Sequence, residues 1–149
     1  MSTFIIPLLL FTLLTRLSHA TNVHYCDKNI DYEVKVYAIE VTPNPIAKGH
    51  PATLSISAST GKTISGGKVK IDVAYYGWHV YSENHDLCTE TSCPVPTGHF
   101  VIAHSEILPA FIIPGTYYVK MNIMDANNKQ MSCVGFDITI GFGASVAAS

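Results

Sequence analysis

Cys26, Cys88, Cys93 and Cys133, with His24, His50, His79, His85, His99 and His104, are the side chains beyond residue 20 with the most reactive chemistry to offer. Thiolates and imidazoles together could hold zinc, and a thiolate beside an imidazole could be a nucleophile. The spacing supports neither. There is no C-x-x-C pair, no H-E-x-x-H and no G-x-S-x-G, and no two histidines show metal-ligand spacing on one face. His104-Ser105-Glu106 has the H-x-E form of a zinc deaminase but follows the cysteines instead of preceding a P-C-x-x-C. An even number of cysteines in an oxidising compartment reads as disulfides, and paired thiols leave no nucleophile. Sequence alone allows three pairings. The C-x4-C spacing of Cys88 and Cys93 suits a local staple, which would leave Cys26 and Cys133 to tie the first segment to the last. The histidines then read as mostly solvated, with pH sensing in an acidic compartment as the alternative. No catalytic group, metal site or cofactor is expected.

A different chemistry is carried by apolar residues outside any strand pattern. Pro109-Ala110-Phe111-Ile112-Ile113-Pro114 is an unbroken apolar run where a turn should be polar, and Trp78–Tyr81 holds a second apolar group. Such segments are buried, or else they touch a ligand, a membrane or a partner.

The elements that must position them alternate with period two, as half-buried strands do. Ala52, Leu54, Ile56 and Ala58 oppose hydroxyl residues; Val69, Ile71, Val73 and Tyr75 oppose Lys70, Asp72 and Ala74. Tyr117, Val119, Met121 and Ile123 form a third apolar face, and Val134, Phe136, Ile138 and Ile140 a fourth. Over Ile30–Val41 the phase of Val34 and Val36 opposes that of Ile39 and Val41, which a β-bulge near Tyr37-Ala38 would reconcile. Phe100–Ile107 supplies another strand and Trp78–Tyr81 a short one. Turn residues at Pro43-Asn44-Pro45, Ser65-Gly66-Gly67, Pro114-Gly115 and Asn127-Asn128 separate them. The expectation is all-β: an immunoglobulin-like antiparallel sandwich of about seven strands in one domain.

The first 20 residues read as a signal peptide. Phe4–Leu14 is an uncharged apolar stretch too short to cross a bilayer, and Ser18-His19-Ala20 offers a cleavage site. The remaining segment, 21–149, has eight basic side chains after the loss of Arg16, against eleven acidic ones. It has no Arg and no basic patch, which argues against a nucleic-acid partner.

The order of these features resembles the MD-2-related lipid-recognition (ML) family, over nearly all of residues 21–149. Cys26 precedes the first strand, which exits through Val41-Thr42-Pro43-Asn44-Pro45, and the strand after Gly49 follows. A long mid-chain strand ends in aromatics. After it come the two-cysteine loop Cys88-Thr89-Glu90-Thr91-Ser92-Cys93-Pro94, the Leu108–Gly115 stretch, and Cys133 at the final strand. Tyr76-Gly77-Trp78-His79 and Asp86-Leu87-Cys88 look like the plant members in particular. The animal sterol carriers have a further disulfide that Pro43–Gly49, without cysteine, does not reproduce.

The resemblance implies the pairs Cys26–Cys133 and Cys88–Cys93 and a lipid cavity between the sheets. By family position Tyr81, Ala110, Ile113 and Pro114 fall at its entrance. Tyr75, Trp78, Phe100, Ile102, Phe111 and Met121 complete the expected lipid-binding set. It also implies a non-enzymatic monomer of the secretory pathway, in the apoplast or extracellular space, or in a vacuole or endolysosome. Such a protein would carry a sterol or phospholipid, as the lysosomal sterol carrier and the phosphatidylglycerol/phosphatidylinositol transfer proteins do, and touch membranes transiently. The alternative is an extracellular recognition module acting through a receptor.

Overall fold

A computed structural model describes residues 21–142; the expected leader, residues 1–20, lies outside them. Eight strands and one helical turn follow in order: β1 Val23–Tyr25, β2 Val34–Thr42, β3 Pro51–Thr60, β4 Gly67–Tyr75, β5 Trp78–Asp86, α1 Leu87–Glu90, β6 Gly98–Ile107, β7 Gly115–Asp125 and β8 Gln130–Ile140. All pairings between strands are antiparallel. They form a five-stranded sheet in the order β1-β8-β7-β4-β5 and a three-stranded sheet in the order β2-β3-β6. The class expected from sequence stands, with an eighth strand where about seven were expected. No described helix is long and apolar enough to cross a membrane.

The alternating residues pack where their period sends them. Val34, Val36 and Ile39 of β2, Ile56 and Ala58 of β3, and Ile102 of β6 meet Val69, Met121, Ile123, Val134 and Phe136 of the opposite sheet. The bulge in β2 falls between Val36 and Ala38, as the phase change requires, and the Val36 amide donates to the Tyr25 hydroxyl at 3.1 Å. The strand starts at Val34 rather than Ile30.

β4 and β5 are joined by a two-residue hairpin at Tyr76-Gly77, which is not among the turns expected from sequence. Tyr76 (φ 50°) and Gly77 (φ 80°) both lie in the left-handed region, as a primed turn demands. β5 is thereby a full nine-residue edge strand rather than a short piece at Trp78–Tyr81. After it Asp86 caps α1 by accepting from the Cys88 amide at 2.9 Å, so the two-cysteine loop is a helical turn closed by its own disulfide.

Both pairings implied by the resemblance are present. Cys26–Cys133 and Cys88–Cys93 have Cα separations of 5.4 and 5.3 Å. On the β2/β8 side backbone hydrogen bonds help lock the sheets together: Thr21 donates to Ile39, and Ile46 to Thr139, at 2.9 and 2.8 Å. On the other side β5 and β6 share no backbone pairing. A group of charged side chains spans that gap.

Candidate functional site

Each long strand passes from a close-packed half of the sandwich to a hollow one. Met121 and Ile123 of β7 are 0% exposed, and so is Ala58 of β3. A few residues along the same strands, Val119 and Tyr117, and Leu54 and Ala52, line a cavity of about 640 Å³. That volume is in the range of small-molecule sites. Phe136 and Ile71 line it too, together with Val73 and Tyr75 of β4, Ile138 and Ile140 of β8, and Val41 of β2.

The rim consists of two segments. One is the β4–β5 hairpin and the start of β5, with Val80 and Tyr81 facing the cavity; the other is the 108–113 loop, from Leu108 to Ile113. Phe111 and Ile113 line the cavity while remaining 81% and 61% exposed. The loop is held from behind. The Lys48 ammonium donates to the carbonyls of Ala110 and Ile112 at 3.2 and 2.8 Å, and the Tyr117 hydroxyl donates to the Ile113 carbonyl at 2.6 Å. The Tyr75 ring stacks on Tyr117 with centroids 4.7 Å apart. It also lies over Gly115, where a Cβ would come within 3.1 Å of it. Burial, and then Tyr75, pushes the Tyr117 phenol above its ordinary range.

Polar groups of the lining gather toward the β5/β6 edge: Tyr81 and Glu83 of β5, and His104 and Glu106 of β6. Tyr81 donates to Glu83 Oε2 at 2.7 Å, and this bond pushes its phenol up to about 12. Burial pushes the His104 imidazole toward neutrality. The hydrogen bond and charge of Glu90, followed by those of Glu106, outweigh it, so its pKa lies above the usual histidine value. Burial raises the Glu83 carboxyl, but its contacts with His85 and Tyr81 and the charge of His104 bring it below the ordinary carboxylate value.

Of the ten lipid-site residues expected from sequence, Tyr75, Tyr81, Phe111 and Ile113 line the cavity, and the other six do not. Ile102 and Met121 are 1% and 0% exposed in the packed half, and Phe100 packs against the same core. They share the inward face of their strands with cavity residues but sit too far along it. Trp78, 78% exposed, projects from the hairpin tip. Ala110 and Pro114 belong to the mouth loop without facing the space. Lining residues outside the expected set include Leu54, Ile71, Val73, Val80, Leu108 and Ile112; for the first three the strand alternation was already the signal.

The histidines also divide. His24, His50, His79 and His99 are exposed, as expected, while His85 and His104 are partly buried against each other, with ring centroids 4.2 Å apart.

The ML domain model matches residues 20–140, so the chain belongs to the ML-domain family. Among curated relatives it is similar to a protein of Dictyostelium discoideum named a putative phosphatidylglycerol/phosphatidylinositol transfer protein. The two are 31% identical over 117 residues, which span 76% of this chain and 81% of the relative. It is also similar to the MD-2-related lipid-recognition protein ROSY1 of Arabidopsis thaliana, at 29% identity over 81% of this chain and 78% of that one. Among solved structures, a Niemann-Pick type C2 protein from Japanese carpenter ant aligns with TM-score 0.63 and 11% identity, covering 79% of this chain and 99% of that one. Chicken MD-1, complexed with lipid IVa, aligns with TM-score 0.57 and 16% identity over 83% and 96%. At these identities the structures establish the shared fold.

Proposed function

We propose that this protein is a non-enzymatic lipid carrier that encloses one lipid between its sheets and exchanges it with membranes. The observation that carries the reading is the cavity itself: about 640 Å³, walled mainly by aliphatic and aromatic side chains of both sheets, and open at a rim of exposed apolar residues. Enclosing about 400–500 Å² of apolar lipid surface is worth roughly 10–12 kcal/mol gross, and association consumes about 4 kcal/mol or more of that. Micromolar or tighter binding is then accessible without a dedicated head-group contact. Relatives named for phosphatidylglycerol/phosphatidylinositol transfer support a phospholipid cargo, and a sterol is the competing one. The lipid's polar end would lie at the mouth, near Phe111 and Ile113. Tyr76, Trp78 and Phe111, 85%, 78% and 81% exposed, form the tip that would dip into a bilayer as the lipid leaves.

Two disulfides support passage through an oxidising secretory compartment, as does the apolar leader expected at residues 1–20. A monomer suffices, since one chain encloses the cavity. The competing reading, a module docking on a receptor, would use the same exposed tip. Native mass spectrometry of protein purified from its own source separates them. A co-purifying lipid at one per chain supports carriage, and a uniformly lipid-free protein that still binds a partner overturns it.

A further inference from the structure

Two imidazoles and three carboxylates meet where the two sheets have no backbone pairing: Glu83 and His85 of β5, Glu90 of α1, and His104 and Glu106 of β6. The rings are oriented alike. Both Nδ1 atoms face Glu90 Oε1, at 3.0 Å from His104 and 3.6 Å from His85. Both Nε2 atoms face Glu83 Oε1, at 2.9 Å from His85 and 3.9 Å from His104.

A neutral imidazole has one N–H. If Glu90 takes the Nδ1 protons, each Nε2 turns a lone pair toward a carboxylate oxygen, an acceptor facing an acceptor. Three things can relieve this: the other tautomer, a second proton on each ring, or a cation held between the lone pairs. For His104 a second proton would serve, since Glu106 Oε2 lies 3.3 Å from Nε2 with hydrogen-bond geometry. His85 Nε2 is buried 2.9 Å from Glu83 Oε1 yet makes no aligned hydrogen bond there.

We propose that Glu83, His85 and His104 ligate a divalent transition-metal ion of the zinc type, and that Glu90 orients both imidazoles from behind. One donor atom from each of the three ligands lies within 4.8 Å of the others. Metal–ligand bonds of about 2.0–2.2 Å place tetrahedral ligand pairs about 3.3–3.5 Å apart, and the two carboxylate–imidazole distances, 2.9 and 3.9 Å, lie on either side of that spacing. A carboxylate that accepts from the far nitrogen of a metal-bound histidine is the usual supporting contact, and here Glu90 supplies it to His104 at 3.0 Å and would reach His85 by closing from 3.6 Å. Glu106, near His104 Nε2, is placed to fill a fourth position. The ion would clip β5 to β6, closing with side chains the edge that lacks backbone bonds, along the wall of the hollow half.

The test uses untagged full-length secreted protein, stripped with chelator and titrated with zinc chloride by calorimetry and by thermal melting. The expected result is one ion per chain and a melting temperature raised by several degrees at saturation. His85→Asn and His104→Asn should each weaken binding at least tenfold, Glu90→Gln should weaken it less, and His79→Asn should leave it unchanged. Absence of saturable binding to the wild type would overturn the site, as would undiminished binding to the His85→Asn/His104→Asn double variant. Should a histidine variant fail to fold, Glu83→Gln, which keeps the side-chain shape, is held to the same tenfold criterion. These readings need no lipid, so failure of the metal site and failure of lipid carriage are separable.

Discussion

The two ends of the sandwich are built from the same strands and do opposite things. At one end Ile39, Ile56, Ile102, Met121 and Ile123 fill the space between the sheets, each with 1% exposure or less. The long loops there are cross-tied: Ile64 and Val95 exchange backbone hydrogen bonds at 2.9 and 2.8 Å, and both disulfides lie toward that end. At the other end the inward residues continue the same alternation, yet the sheets enclose empty volume. Among the described residues the covers are a two-residue hairpin and the Leu108–Pro114 loop held by Lys48. A small domain can keep a hollow half because its packed half is stapled. Stability and function are thus separated along the strand axis, and substitutions should sort by end.

Removing the long staple should have the largest effect. Cys26–Cys133 closes 107 residues and Cys88–Cys93 closes five, so in the chain-entropy model they contribute about 4.8 and about 2.1 kcal/mol. Cys133→Ser should therefore lower the midpoint of chemical unfolding more than Cys93→Ser. Equal losses would show that the unfolded chain is not what the long bridge constrains.

Next in size is a matched pair of truncations. Ile56→Ala in the packed end leaves a new void and should cost about 2–5 kcal/mol. Ile138→Ala enlarges a space that is already there and should cost less than about half as much, while weakening lipid binding. Denaturant unfolding of the two variants checks this; equal costs would mean that the hollow end is as tightly packed as the other in solution.

Smaller still is the mouth. Phe111→Asp and Ile113→Asp alter side chains already in water, so the melting temperature should barely change. Fluorescent-lipid transfer between vesicles should fall at least tenfold, about 1.4 kcal/mol. A large drop in melting temperature with intact transfer would make the loop a plug of the core instead.

What the sequence made legible follows the same division. Alternation of apolar residues specifies which face of a strand turns inward, so the sandwich and the β2 bulge could be read from Val34, Val36, Ile39 and Val41. It does not specify how far apart the sheets stand at a given depth. Alternation therefore groups Ile102 and Met121 with Tyr75, although they lie in the packed end. β5 was shortened to Trp78–Tyr81 because an edge strand beside a cavity buries little: none of its nine residues is fully buried, and its pattern looks like loop. Glu83 and His85 are two apart and share a face, but their partner His104 comes from the other sheet. Local spacing has no access to that pairing.

Filling the hollow end tests lipid carriage most directly. Val73 lines the cavity and is only partly buried, so Val73→Trp would direct an indole into the space where the lipid should lie. Lipid extracted per mole of protein, measured by mass spectrometry on wild type and variant prepared side by side, should fall from about one to near zero, with the melting temperature held or raised. A folded Val73→Trp protein that still carries one lipid per chain would contradict a lipid site between the sheets.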